Sequence, residues 1–168
     1  EAGTIDPGNG PEVYYRAAEG ATSRGFEFEV AGEITDGWNI SAGYSQFKAT
    51  DANDVDFNSI YPRKLLRLFT TYRLPGAWDA LTIGGGASWE SRTYTLDPAA
   101  PVGSSGRIEQ DAYALVNLMA RYEFTPQFSA QLNLNNALDE EYFGMFAAYN
   151  AITYGAPRNA NLTLRYRF

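Results

Sequence analysis

The chain has no cysteine and no histidine among its 168 residues. Without cysteine there is no disulfide framework and no thiolate-held metal, and the redox compartment leaves no mark. Without histidine these residues hold no Ser-His-Asp triad, no histidine-ligated zinc or haem and no histidine pH switch. A hydrolase relying on a Ser-His or Asp-His pair would need histidine, so no enzymatic activity is expected. Positive charge is also scarce: 13 Lys and Arg against 20 Asp and Glu give a formal net charge of -7 and a pI near 4.6. Nucleic-acid binding leaves a basic footprint, so no nucleic-acid partner is expected. No apolar run approaches the roughly 18–20 residues of a membrane-spanning helix. With a mean hydropathy of -0.34, a helical membrane protein is excluded. A membrane β-barrel is not, because its strands alternate apolar and polar residues.

Aromatic residues and glycine are plentiful: 12 Tyr, 10 Phe, 3 Trp and 16 Gly. They sit in a period-two pattern. In 158–168, Ala160, Leu162, Leu164, Tyr166 and Phe168 alternate with Asn159, Asn161, Thr163, Arg165 and Arg167. Side chains of a strand point alternately to opposite faces, so one face is apolar and the other carries two arginines. The same alternation predicts strands at about 24–34, 38–50, 63–74, 80–96, 111–124 and 128–143, seven in all, in an antiparallel meander.

The connections alternate in length. Short ones with turn chemistry are expected around Asp36-Gly37, Pro75-Gly76 and Thr125-Pro126, and long ones at 50–62, 97–110 and 140–157. A meander places all short turns on one rim and all long loops on the other, which is the anatomy of an outer-membrane barrel. Trp38, Trp78, Phe124, Phe128 and Phe168 fall near the short-turn rim, where rings favour the lipid–water interface. In a soluble sandwich the polar face would point to water instead. The girdle and the loop asymmetry favour the membrane reading, with Glu27, Glu29, Glu33, Arg67, Arg73, Glu90, Arg121, Glu123, Arg165 and Arg167 lining a wet lumen.

The tail Pro157-Arg158-Asn159-Ala160-Asn161-Leu162-Thr163-Leu164-Arg165-Tyr166-Arg167-Phe168 resembles the closing strand of TonB-dependent ferric-siderophore receptors. Further matching segments are Ser23-Arg24-Gly25-Phe26-Glu27-Phe28-Glu29-Val30, Trp38-Asn39-Ile40-Ser41-Ala42-Gly43-Tyr44 and Tyr72-Arg73-Leu74-Pro75-Gly76. So are Gly84-Gly85-Gly86-Ala87, Tyr113-Ala114-Leu115-Val116-Asn117 and Asn135-Asn136-Ala137-Leu138-Asp139-Glu140-Glu141-Tyr142. Each is weak alone; in order, with the loop rhythm, they cover 23–168.

The resemblance implies an all-β antiparallel transmembrane β-barrel meander, about seven C-terminal strands of a barrel of about 22 strands around an N-terminal plug. Residues 1–168 would be the C-terminal segment of that barrel, with 1–22 the remnant of an extracellular loop and 23–168 the strands and loops. Glu1 is not a plausible start, and plug, TonB-contacting box and signal peptide are expected outside the chain. Seven strands cannot close, and an open edge in hydrocarbon leaves backbone groups unpaired. The implied function is TonB-dependent uptake of a ferric siderophore, the transported ligand, with no intrinsic cofactor and no metal site. The implied partners are the remainder of the same receptor, TonB through its N-terminal part, the barrel-assembly machinery and outer-membrane lipid, in a Gram-negative outer membrane. Leu162, Leu164, Tyr166 and Phe168 resemble the barrel-assembly signal.

Ferric-chelate recognition in the family uses aromatic side chains and a few Arg or Gln groups near the outer rim. The candidates are Phe146, Tyr149 and Tyr154 on the 140–157 loop, and Arg92 and Tyr94 at the outer end of the fourth strand, facing the lumen by the parity of Glu90. Loop self-packing or an extracellular girdle would explain the same residues. Other readings are a cobalamin, haem or oligosaccharide receptor, or a stand-alone eight-stranded barrel of structural or adhesive role. The last needs an eighth strand from 1–20, where only Val13-Tyr14-Tyr15-Arg16 is strand-like. The Asp51/Asp54/Asp56 and Asp139-Glu140-Glu141 groups lack the spacing of an EF-hand and read as solvated loop charge.

Overall fold

Period-two alternation becomes one twisted antiparallel sheet. The protein is described from a computed structural model, covering residues 2–5, 12–15, 20–56, 60–96, 106–146 and 151–168. A hairpin of β1 (Ala2–Ile5) and β2 (Glu12–Tyr15) comes first. The wall follows: β3 (Thr22–Thr35), β4 (Trp38–Thr50), β5 (Lys64–Arg73) and β6 (Leu81–Glu90). The next strands, β7 (Thr93–Leu96) and β8 (Arg107–Gln110), form a separate hairpin. The wall resumes with β9 (Tyr113–Glu123) and β10 (Phe128–Asn135). A third hairpin, β11 (Phe143–Phe146) with β12 (Ala151–Tyr154), precedes the last wall strand, β13 (Asn159–Tyr166). The seven wall strands lie in the order β13-β10-β9-β6-β5-β4-β3, a meander with every neighbour antiparallel.

Register carries one parity across the whole wall. Val30, Ala42, Leu68, Ala87 and Val116 are successive cross-strand partners, as are Ile83, Ala120, Leu132 and Leu162. The opposite parity joins Glu29, Gly43, Arg67 and Ser88, and likewise Thr82, Arg121, Gln131 and Thr163. One face is therefore apolar and the other polar, and among the described residues no second layer covers the apolar one. Phe28, Leu132 and Leu164 are half or more exposed, and Ala49 is the only buried apolar residue among the described residues. A soluble protein would leave this surface wet at a cost of roughly 25 cal/mol per Å².

The short turns (36–37, 74–80 and 124–127) share one rim and the long connections share the other. At the first turn Gly37 takes φ +74°, a conformation that suits glycine, and its N–H donates to Glu33 Oε1 at 2.8 Å. In the last, Thr125 Oγ1 accepts from the N–H groups of Gln127 and Phe128. Aromatic rings gather at this rim: Trp38 with Tyr72, Phe124 with Tyr122 and Phe128, and Tyr166 with Phe168, at 4.9–6.4 Å between centroids.

Three expectations are corrected. The strand expected over 80–96 stops at Glu90, because Ser91 Oγ accepts from the N–H groups of Arg63 and Lys64 (both 3.0 Å) and ends the ladder. The chain then leaves the wall as β7. The strand expected over 128–143 stops at Asn135, because Asn136 enters the left-handed region at φ +49° and turns the chain. The described residues within 1–20 form two short strands rather than one, β1 pairing with β2.

Candidate vestibule at the long-loop rim

The two longest connections fold back as hairpins above the wall, and side chains rather than ladder bonds fix their bases. Gln110 is buried; its Nε2 donates to the Asp111 carbonyl at 3.0 Å, and its Oε1 accepts from the Phe143 N–H at 2.9 Å. That amide ties β8 to β11. Asn136 is 4% exposed and saturated. Its Nδ2 donates to the carbonyls of Glu140 (2.8 Å) and Ala156 (3.2 Å), its Oδ1 accepts from the Glu140 N–H, and its own N–H donates to Asn117 Oδ1. Asp139 completes the turn by accepting from the Arg158 N–H at 2.8 Å.

A chain of contacts then runs from the wall into the third hairpin. Arg67 Nη2 lies 3.1 Å from Glu90 Oε1, and the Tyr113 hydroxyl donates to Glu90 Oε2 at 3.0 Å. The Tyr113 ring stacks on Tyr142 at 4.7 Å. Tyr142 in turn covers Gly155, whose N–H donates to the Tyr142 carbonyl at 2.7 Å; a Cβ at Gly155 would fall inside that ring. Below lies a concavity of about 490 Å³ on the polar face, lined by Arg67, Phe69, Asn117, Gln131, Asn133 and Asn135 among others. Amides bridge its far side, Asn133 to Asn161 and Asn135 to Asn159.

The structure divides the candidate ligand contacts. Arg92 and Tyr94 belong to the β7–β8 hairpin, so the parity argument drawn from Glu90 does not reach them across the break at Ser91. Arg92 Nη1 lies 3.6 Å from Glu109 Oε2, and the Arg107 guanidinium sits 4.2 Å from the Tyr94 ring centroid. Tyr154 ends β12, 83% exposed, with its ring edge-on to Phe143. Phe146 ends β11, paired with Ala151 in the ladder. Tyr149 lies outside the described residues. Sequence reasoning missed the residues that fix the hairpins: Gln110, Tyr113, Asn136 and Tyr142. The segment running from Asn135 to Tyr142 matches the family, but its spacing does not show which amide becomes buried.

The chemistry on offer is recognition: guanidinium groups, amides and ring faces. Among the described residues no group of three or more carboxylates is placed to hold a metal ion. Asp51 Oδ1 is taken by the N–H groups of Asn53 and Val55, and Asp54 pairs with Lys48.

The profile of the family described as TonB dependent receptor-like, beta-barrel, matches residues 2–137. The ferric-pyoverdine 358 receptor of Pseudomonas putida is 41% identical over 165 residues, covering 98% of this chain and 19% of the receptor. The catecholate siderophore receptor Fiu of Escherichia coli is 30% identical over 156 residues, covering 86% of this chain and 19% of that protein. The crystal structure of the ferripyoverdine receptor of Pseudomonas aeruginosa, bound to ferripyoverdine, superposes with a TM-score of 0.81 at 36% identity, covering 87% of this chain and 19% of the receptor. The chain thus spans about a fifth of the length of the curated relatives it matches. With an apolar-out, polar-in meander, short turns on one rim and long loops on the other, the chain belongs to the TonB-dependent receptor β-barrel family of the Gram-negative outer membrane.

Proposed function

We propose that this chain forms part of the wall and outer vestibule of a receptor that takes up a ferric siderophore across the outer membrane. The observation carrying the reading is the 41% identity to a ferric-pyoverdine receptor along 98% of the chain, joined to a wall whose polar face is rich in amides, arginine and aromatic rings. The ferric siderophore binds from the long-loop side. Aromatic faces bury its apolar surface and guanidinium groups meet its anionic or carbonyl oxygen atoms. Arg92, Tyr94, Phe146, Tyr149 and Tyr154 are the candidate contacts, and Gln110, Asn136 and Tyr142 anchor the described parts of the hairpins. No covalent step is needed, so the protein is a transporter rather than an enzyme. The rest of the receptor, plug and further strands, completes the lumen, TonB supplies the energy that moves the plug, and outer-membrane lipid covers the apolar face. The barrel-assembly machinery reads the terminal Leu162, Leu164, Tyr166 and Phe168.

The test is uptake of radiolabelled iron by cells whose only siderophore receptor is the full-length parent, offered ferric pyoverdine and a ferric catecholate separately. Saturable uptake of one, abolished without TonB, is the expected result. Neither binding nor uptake of any ferric siderophore would overturn the reading.

A further inference from the structure

Charged side chains on the polar face of the interior strands have partners among the described residues, whereas four at the two edges of the sheet do not. On the five interior strands Arg67 pairs with Glu90, Arg121 with Glu123, and Arg73 Nε donates to the Asp79 carbonyl at 2.7 Å. On edge strand β3, Glu33 is occupied by the Gly37 N–H, but Glu27 and Glu29 have no partner among the described residues. At edge strand β13, the side chains of Arg165 and the following Arg167 have none among the described residues either: Arg165 is opposite Ser129 of β10, and only the backbone N–H of Arg167 is engaged, by the Gln127 carbonyl in the turn before β10. One edge is thus acidic and the other basic. Both edges are exposed along their whole length, each with an unpaired row of backbone groups.

The direction of the strands decides what can cover them. β3 and β13 are first and seventh in the meander, so both run from the long-loop rim to the short-turn rim. They cannot pair antiparallel with one another, whether by closure or between two copies in the same orientation. Each needs a strand that runs the other way.

We infer that β13 is covered by an antiparallel strand of the same receptor, outside residues 1–168, that presents Asp or Glu on its lumenal face beside Arg165 and Arg167, and that β3 is covered by another presenting Lys or Arg beside Glu27 and Glu29. Opposite charges facing each other across a ladder stabilise it and like charges oppose it. Register in a two-faced sheet is set by such facing patterns, so these four residues select which strand docks on which edge and at what height. The inference requires nothing of the transported ligand.

The test uses the full-length receptor in outer membranes. R165K and R167K keep the charge and add an amine that a zero-length carbodiimide couples to a neighbouring carboxylate. The expected cross-link joins the introduced lysines to one segment outside residues 1–168 of the same molecule, at Asp or Glu residues two apart. Coupling only to Glu123, coupling to a second receptor molecule, or no coupling in receptor that migrates as a folded barrel would each overturn it. The double reversal R165E/R167E should lower the assembled fraction about tenfold, and reversing the two cross-linked carboxylates to lysine should restore it; failure to restore overturns the pairing. For the other edge, E27K/E29K should lower assembly comparably, and assembly at the parental level would refute the acidic half.

Discussion

The ring of Phe69 lies against Gly86 across the β5–β6 ladder: a Cβ added at position 86 would stand 3.2 Å from Phe69 Cδ2 and 2.6 Å from the Leu68 carbonyl oxygen. The ring occupies the space a side chain would fill, on the polar face, while the glycine lets the two backbones approach. Such ring-over-glycine pairs pin register in curved sheets.

Gly86→Ala should therefore cost about 1–3 kcal/mol, because the added methyl meets a backbone oxygen that cannot step aside. Urea unfolding of the full-length receptor checks this. An unchanged midpoint would mean the strands relax apart freely.

The two faces make a second prediction. Leu164 is flanked by Ala130 on the apolar face, whereas Arg165 is opposite Ser129 on the polar one. Leu164→Arg should lose about 2–4 kcal/mol of folding free energy in bilayers if it lies near mid-membrane. Arg165→Leu removes at most a cross-strand charge pair, about 1 kcal/mol or less. Equal losses would reverse the assignment of the faces.

Asn136→Ala should loosen the whole 136–158 connection. It strips the Glu140 and Ala156 carbonyls of their buried donor and leaves alanine at φ +49°. Each buried group left unpaired costs about 1–3 kcal/mol. Hydrogen exchange should speed up at the amides of Glu140 and Gly155, while the mid-wall amides of β9 keep their protection.

At the vestibule, Tyr154→Ala and Arg92→Ala should each weaken binding of whichever ferric siderophore the uptake assay selects by roughly thirtyfold, the equivalent of about 2 kcal/mol. Tyr142→Ala should weaken it too, by releasing the hairpin that carries Tyr154. Parental affinity in all three, with the barrel folded, would assign recognition to other parts of the receptor.

Local alternation was enough to read the faces and the short turns, because a strand's period of two is written in consecutive residues. It determined that Leu162, Leu164 and Tyr166 share one face and Arg165 the other, and that Asp36-Gly37 and Thr125-Pro126 are turns. It also carried the segments by which the family was recognised. Strand ends and loop anchors were not legible, because they depend on which distant groups arrive at a given backbone atom. β6 ends where the Ser91 hydroxyl meets the amides of Arg63 and Lys64, and β10 ends where Asn136 finds Asn117, Glu140 and Ala156. Alternation ran past both points because it senses only side-chain type, not competition for hydrogen bonds. The same limit puts Arg92 and Tyr94 beyond the end of the wall strand over which alternation runs. Composition and period determined what kind of surface each strand presents; register, a long-range pairing, decided which residues meet across it.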